Sequence, residues 1–362
     1  MKIIIAGGGT GGHLFPAVAV GEELRRQCPS TEVLHVGATN GMEARWLPMH
    51  GFPCELLQVR GFTGKDPLTR LRAAAEFLSA IGRARSLLKR FSPDLVLSAG
   101  GYASAPMAVA ALLARTPLVL MEQNTRPGLS NRLLWRFARR ICVGFSDSAA
   151  AFAAHKVEVT GNPVRFAFLP RPPRKSSVPL QILVLGGSSG AHRLNLGVLK
   201  AFKICRDSVI KFNVIHQTGE ADVGMVADGY REIGWDAQVV PFIDDMATAL
   251  GNADLVIARA GAMTVSEVAL AGRPAIFVPY PFHRDRQQEL NARVLERRGG
   301  AMIVFDDVQL GENLANVLRD LASDPDRLLR IGAAAHALAM PDAAEKIARV
   351  CFEAAARHGG AA

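Results

Sequence analysis

An α/β fold of two doubly wound, Rossmann-like domains facing across a cleft is predicted by three features of the 362-residue sequence. The chain opens twice on one plan. "KIIIAGGGTGGHLFPAVAVGEEL" from Lys2 and "LQILVLGGSSGAHRLNLGVLKAF" from Leu180 each run as apolar strand, glycine loop and amphipathic helix. Short apolar runs alternate with helical patterns elsewhere, which implies parallel sheets covered on both faces. Between the halves, "GNPVRFAFLPRPPRKSSVP" (161–179) is rich in proline and charge and reads as a linker. The expected division is a domain at 1–162, a linker at 163–179 and a domain at 180–340. A last helix around 343–357, in a tail of about 341–362, is expected to pack back on the first domain.

The individual strands follow from their own stretches. In the first half "KIIIA", "EVLHVG", "DLVLSAGGY" and "PLVLMEQN" are apolar runs ending in glycine or polar tips. In the second, "KFNVIHQTG", "AQVVPFI", "ADLVIARAG" and "PAIFVPY" repeat the pattern. Ligands of such sheets are expected at the carboxyl ends of the strands. Leu95 to Ala114 runs twenty residues without a charge, long enough to suggest a membrane span. Gly100-Gly101, Ser104 and Pro106 in its middle fit a buried strand, a turn and a helix better, so no span is expected.

Hydrophobic content of 49% and charge of 21% describe a globular chain. Five cysteines, odd in number and without a C-x-x-C pair, favour a reducing cytoplasm and give no zinc or disulfide framework. The nine histidines show no metal-ligand spacing, so no metal is expected. The N-terminus has no signal-peptide pattern. The net charge of +9 lies wholly in residues 1–170, with 20 Lys+Arg against 11 Asp+Glu; residues 171–362 hold 22 of each. A basic half points to an anionic partner: nucleic acid, a phosphorylated substrate or an acidic lipid surface. With aromatics at 6% and no recognisable binding module, nucleic acid is not expected.

Both glycine loops, "GGGTGGH" and "GGSSGA", let backbone N–H groups approach an anion at a helix N-terminus. Gly7, Gly9 and Gly12 satisfy G-x-G-x-x-G, the dinucleotide fingerprint. That reading also needs a carboxylate at the tip of the second strand, where Gly37-Ala38-Thr39 stands instead. His13 closes the first loop at a helix start, where a neutral imidazole can accept a proton, or can simply bond to backbone. In "RAGAMTVSEVALAG" (259–272), Glu267 suits two ribose hydroxyls, and Thr264-x-x-Glu267 is equally a capping box needing no ligand. Asp285, Gln287 and Gln288 suit sugar hydroxyls or a solvated helical turn, and Glu122, Gln123 and Asn124 stand at a strand tip.

Two basic segments carry apolar residues. Residues 60–90 hold eight Lys+Arg and two acids, with Leu71, Phe77, Leu78, Ile81 and Leu88 at broadly helical spacing. Residues 126–140 hold five arginines, no acid, and Leu133, Leu134, Trp135 and Phe137. Such segments either pack on a core or meet a membrane surface.

In order along the chain, "GGTGGHLFPA", "GGYASAP", "EQN" with "PGLSN", "GNPVR", "GGSSGA", "FIDDM", "RAGAMTVSE" and "DRQQ" closely resemble the MurG family. These are bacterial peptidoglycan N-acetylglucosaminyltransferases of the GT-B fold. The resemblance implies inverting transfer of N-acetylglucosamine from its UDP donor to the 4-hydroxyl of the muramoyl sugar of undecaprenyl-pyrophosphate pentapeptide (lipid I), giving lipid II. It implies no cofactor or obligatory metal, and peripheral attachment to the anionic cytoplasmic face of the inner membrane. Carried over by position, the backbone at Ile243 reads uracil with Met263 nearby, and Glu267 binds ribose. Ser188 and the helix start at Ala262, Met263, Thr264, Val265 and Ser266 face the donor phosphates, and Gln287 and Gln288 contact the sugar. Thr10, Gly11, Gly12, Asn124 and Arg165 complete the donor site, and the first glycine loop also lines the acceptor side, where the lipid-linked pyrophosphate arrives, and reaches the transferred sugar. His13 is the first candidate for the base and Glu122 the second, and Tyr102 shapes the acceptor pocket. The chain departs from the family pattern at Met121, in place of a histidine, at Ser189, in place of a glutamine, and at Ala260, in place of a serine.

Overall fold

A computed structural model describes residues 1–59, 67–165, 179–187, 190–206, 212–283 and 285–359; the side chains of 67–71 and 357–359 lie outside that description. The chain divides into two compact units, Met1–Arg165 with Pro341–Ala362, and Phe166–Met340.

In the first unit strands and helices alternate: β1 (Lys2–Ala6), α1 (Gly11–Gln27), β2 (Glu32–Ala38), α2 (Glu43–Met49), β3 (Cys54–Leu57), α3 (Pro67–Phe91), β4 (Leu95–Ser98), α4 (Ala105–Leu113), β5 (Leu118–Glu122), α5 (Leu129–Leu134), β6 (Arg140–Val143), α6 (Ser146–Ala149) and β7 (Val157–Val159). The described strands form a seven-stranded sheet in the order β3-β2-β1-β4-β5-β6-β7, and every pairing is parallel. In the second unit run β8 (Leu180–Leu185), α7 (His192–Cys205), β9 (Phe212–Gln217), α8 (Val223–Glu232), β10 (Ala237–Val240), α9 (Met246–Asn252), β11 (Leu255–Ala258), α10 (Ala262–Ala271), β12 (Ala275–Phe277), α11 (Gln287–Glu296), β13 (Met302–Ile303), α12 (Leu310–Ala322) and α13 (Pro325–His336). Its described strands form a six-stranded parallel sheet, β10-β9-β8-β11-β12-β13.

Both sheets are therefore doubly wound, with the strand order reversing beside the first strand of each unit. The central strands β4, β5 and β11 are buried at every residue, as parallel strands covered on both faces must be. In the first unit, Phe77, Ala80, Ile81, Ala84, Leu87 and Leu88 of α3 pack with Met107 and Ala108 of α4 on one face. The other face is covered by Ala17, Val20 and Leu24 of α1, together with Ile347, Cys351 and Ala354 of α14 (Ala343–Gly359). Met121 is 2% exposed in that second cluster, so position 121 holds core and not a reacting group.

The basic segment at 60–90 is corrected in part by this packing. Phe77, Ile81 and Leu88 face the core, Leu78 alone of the expected apolar residues is exposed, and Leu71 lies outside the described side chains. Among the described residues no helix is long and apolar enough to cross a membrane.

Candidate functional site

Reversal of strand order between β1 and β4 brings the loops after them side by side at the carboxyl edge of the first sheet. Gly100 and Gly101, with φ of 85° and 78°, form the second of these loops. A Cβ on Gly101 would stand 2.8 Å from the carbonyl oxygen of Gly8 and 3.0 Å from Cδ2 of His13, so glycine there lets the imidazole lie on bare backbone. His13 Nδ1 is 3.0 Å from the carbonyl oxygen of Ala99, which also accepts a 2.9 Å bond from Nε2 of Gln123. A carbonyl oxygen only accepts, so Nδ1 carries the proton and Nε2 of the neutral ring keeps its lone pair. That is the tautomer a proton acceptor needs.

Glu122, the other candidate base, is differently placed. It is 3% exposed and accepts from Asn124 N at 3.0 Å, Asn124 Nδ2 at 3.3 Å, Gly128 N at 2.9 Å and Asn131 Nδ2 at 2.9 Å. Four donors occupy both oxygens, which makes Glu122 the clamp of the 123–128 loop and argues against proton abstraction. Asn124, half-buried, is held by that clamp. Asn162 closes the same edge by donating from Nδ2 to Gln123 O at 3.0 Å.

The first glycine loop does not behave as a simple anion cradle. The N–H of Gly9 is taken by Glu43, at 2.8 Å to Oε2 and 3.0 Å to Oε1, and so is not open to a ligand. The N–H groups of Gly11 and Gly12, in the first turn of α1, have no intrahelical acceptor and remain for one. Thr10, exposed, caps the helix without a side-chain bond. Tyr102 packs its ring on Gly9, where a Cβ would meet Cε1 at 2.7 Å. Burial first, and then the charge of Glu43, push its phenol above the ordinary range. The Arg165 guanidinium lies 4.6 Å from the Phe15 ring centroid, over α1.

In the second unit the corresponding reversal lies between β8 and β11. α10 begins after β11 with Gly261 as its N-cap, and no acidic residue sits in its first turn. Thr264 is therefore inside the helix, and the capping box expected at Thr264-x-x-Glu267 does not form. The N–H of Val265 is bonded to Gly261 O at 3.0 Å and Ser266 Oγ donates to Ala262 O at 3.0 Å, while the first-turn N–H groups of Ala262, Met263 and Thr264 have no intrahelical acceptor. Ala262, Met263 and Val265 are buried; Thr264 and Glu267 are half-buried one turn into the helix.

Gln288, on α11, accepts from Tyr280 N at 2.9 Å through Oε1, which turns its amide NH₂ away as a donor. Gln287 N approaches Asp285 Oδ1 at 3.3 Å. Asn291 ties α11 back to the strand tip, donating to Ala260 O at 3.2 Å. Ile243 lies in the loop after β10, half-buried, and Asp245 caps the next helix by accepting from Thr248 N. Ser188 and Ser189, and linker residues 166–178, lie outside the described residues.

Sequence reasoning missed the residue that joins these loops. Gln217, 2% exposed at the end of β9, donates to Gly187 O and Pro241 O, each at 3.0 Å, and accepts from Gly187 N at 3.2 Å. It stitches the second glycine loop to the loop carrying Ile243. Its place at a strand tip beside the glycine loop was the available signal.

Residues 3–143 match the glycosyltransferase family 28 N-terminal domain and residues 181–347 the family 28 C-terminal domain. Two proteins named UDP-N-acetylglucosamine–N-acetylmuramyl-(pentapeptide) pyrophosphoryl-undecaprenol N-acetylglucosamine transferase are each 43% identical. That of Syntrophotalea carbinolica aligns over 97% of this chain and 98% of its own. That of Geobacter sulfurreducens aligns over 96% and 97%. The crystal structure of Acinetobacter baumannii MurG superposes with a TM-score of 0.78 at 32% identity, covering 97% of this chain and 99% of that one. By near full-length identity, by both domain matches and by fold, the chain belongs to glycosyltransferase family 28 and, within it, to the MurG family.

Proposed function

We propose that the protein transfers N-acetylglucosamine from UDP-N-acetylglucosamine to the 4-hydroxyl of the muramoyl sugar of lipid I, forming lipid II, with inversion at the anomeric carbon. The observation that carries this reading is the 43% identity across nearly the whole chain to transferases named for that reaction. The site geometry supports a division of labour. In the first unit Nε2 of His13 takes the proton of the acceptor hydroxyl as its oxygen bonds to the anomeric carbon and the bond to UDP breaks. The open N–H groups of Gly11 and Gly12 receive the acceptor's pyrophosphate, and Tyr102 walls its pocket.

In the second unit the N–H groups of Ala262, Met263 and Thr264 stabilise the negative charge that develops on the departing UDP, a use of a helix terminus that needs no metal. Glu267 accepts from the ribose hydroxyls, the backbone at Ile243 reads uracil, and the NH₂ of Gln288, with Gln287, holds the sugar. Thr10, Asn124 and Arg165 are assigned to the donor by family resemblance.

For membrane attachment, Leu129, Leu133 and Phe137 are exposed beside Arg132 and Arg136 at α5 and the turn after it. They support peripheral binding to an anionic lipid surface at the cytoplasmic face of the inner membrane. Transfer of labelled N-acetylglucosamine to a lipid I analogue tests the reaction. Folded protein that binds the donor but leaves lipid I untouched would point to a different lipid acceptor.

A further inference from the structure

Glu43 is a fully buried glutamate, 0% exposed, at the start of α2. Burying an ionised carboxyl group costs several kcal/mol unless donors converge on it. Here the donors are backbone: Gly9 N reaches both oxygens, and Ala38 N bonds Oε1 at 2.7 Å. Three separate glycines leave the space it fills. A Cβ on Gly8, Gly37 or Gly41 would come within 2.2 Å of a Glu43 side-chain atom. The carboxyl group thus ties the tip of β2 to the apex of the first glycine loop.

That apex is one wall of the seat of His13. The Gly8 carbonyl abuts Gly101, the Tyr102 ring lies on Gly9, and the imidazole rests on Gly100 and Gly101. We propose that Glu43 is a positioning residue, holding the Gly8–Gly9 apex against Gly101 and Tyr102 and so fixing the imidazole of His13 toward the acceptor hydroxyl. The inference rests on the reading of His13 as the base. A displacement of about 1 Å at such a seat costs on the order of 100-fold in rate.

Glu43→Gln keeps the size, but with its one oxygen in the Oε1 position, where Ala38 N and Gly9 N both reach, its NH₂ replaces Oε2 and faces the Gly9 N–H that now lies 2.8 Å from that oxygen. The experiment compares kcat and KM for wild type, Glu43→Gln, His13→Ala and the double variant, using a lipid I analogue. Expected for Glu43→Gln are a kcat lower by roughly 10- to 100-fold and a nearly unchanged KM for UDP-N-acetylglucosamine. In the double variant the two losses should not multiply. A second readout is the ultraviolet titration of tyrosine, in which Tyr102 should ionise at lower pH once the charge of Glu43 is gone.

Wild-type kcat in Glu43→Gln, or losses that multiply, would overturn the positioning role. His13→Ala with wild-type turnover would instead sink the base reading. Should Glu43→Gln fail to fold, Gly41→Ala keeps the carboxyl group while displacing it. The same loss of kcat is then expected, and wild-type kcat overturns the proposal.

Discussion

Arg259 and Asp306 form a nearly buried ion pair, 2.8 Å from Nη2 to Oδ2, with side chains 9% and 1% exposed. Arg259 follows β11 and also donates to Val278 O at 3.0 Å, while the other oxygen of Asp306 accepts from Arg193 Nε at 2.8 Å. The pair therefore pins the loop after β13, and the bond to Val278 the loop after β12, to the turn that leads into α10. Removing one partner leaves a buried charge unmatched, a loss of about 3–5 kcal/mol. Asp306→Asn is expected near the lower end, because Arg193 is half exposed and can turn to water. Urea unfolding measures it; a loss below about 1 kcal/mol would show that the pair is not structural.

His13 and Glu122 separate in kinetics. A general base contributes roughly 10²- to 10⁴-fold, so His13→Ala should lower kcat by that factor with donor affinity little changed. Glu122→Gln places an NH₂ among four N–H donors and should chiefly destabilise, by about 1–3 kcal/mol. Its residual activity should keep the wild-type dependence of kcat on pH. A Glu122→Gln enzyme of normal stability that had lost the acidic limb of that profile would reassign the base.

Two buried histidines are expected to weaken the fold in acid. Burial lowers His216 to about 3, and burial, then the charge of Arg25, lowers His35 to about 4. His216 accepts from Tyr230 at Nδ1 and donates from Nε2 to Asn195 Oδ1, because the Asn195 amide nitrogen is committed to Thr218 O and Asp222. An unfolded histidine titrates near 6.5. Between those values the unfolded chain binds protons that the folded one does not, so stability is full above pH ~6.5 and falls as pH drops. At pH 5 each histidine contributes a loss of about 2 kcal/mol. His35 Nε2 has no hydrogen-bond partner in the folded protein, so His35→Gln should cost little at pH 7.5 and reduce the decline between pH 7.5 and 5. Urea titrations at the two pH values measure this; an unchanged decline would show that His35 is not one of the groups responsible.

The doubly wound fold was legible because strand, glycine loop and helix each carry a local pattern, and the duplicated opening marks both units. The chemistry-bearing loops were legible for the same reason, since parallel strands deliver their carboxyl ends to one edge. Glu43, Gln217 and Asn162 were not. Each acts on backbone groups far along the chain, and a single polar residue carries no periodicity to reveal a tertiary partner. The capping box, one of two readings of Thr264-x-x-Glu267, does not form because Gly261 starts α10 three residues before Thr264. The short strands β3, β7 and β13, with sequences CELL, VEV and MI, are too brief for alternation to show.

Membrane attachment gives the last prediction. Leu129 and Leu133 are four residues apart on α5, hence on one face, and Phe137 continues that exposed apolar edge, with exposures of 70%, 64% and 65%. Arg132 and Arg136 flank them, both exposed, and the Arg136 guanidinium stands 5.0 Å from the Trp135 ring centroid. Insertion of the apolar residues and attraction of the arginines to anionic headgroups are separable terms. Binding to anionic vesicles should weaken as salt rises from about 0.05 to about 0.5 M, because the Debye length shortens roughly threefold and screens the arginines from the headgroups. Leu133→Ser with Phe137→Ser should weaken binding at every salt concentration, while Arg132→Gln with Arg136→Gln should weaken it chiefly at low salt. Equal binding to neutral and anionic vesicles by the wild type would remove the electrostatic half of the proposal, and undiminished binding by the serine variant would move the contact to another face.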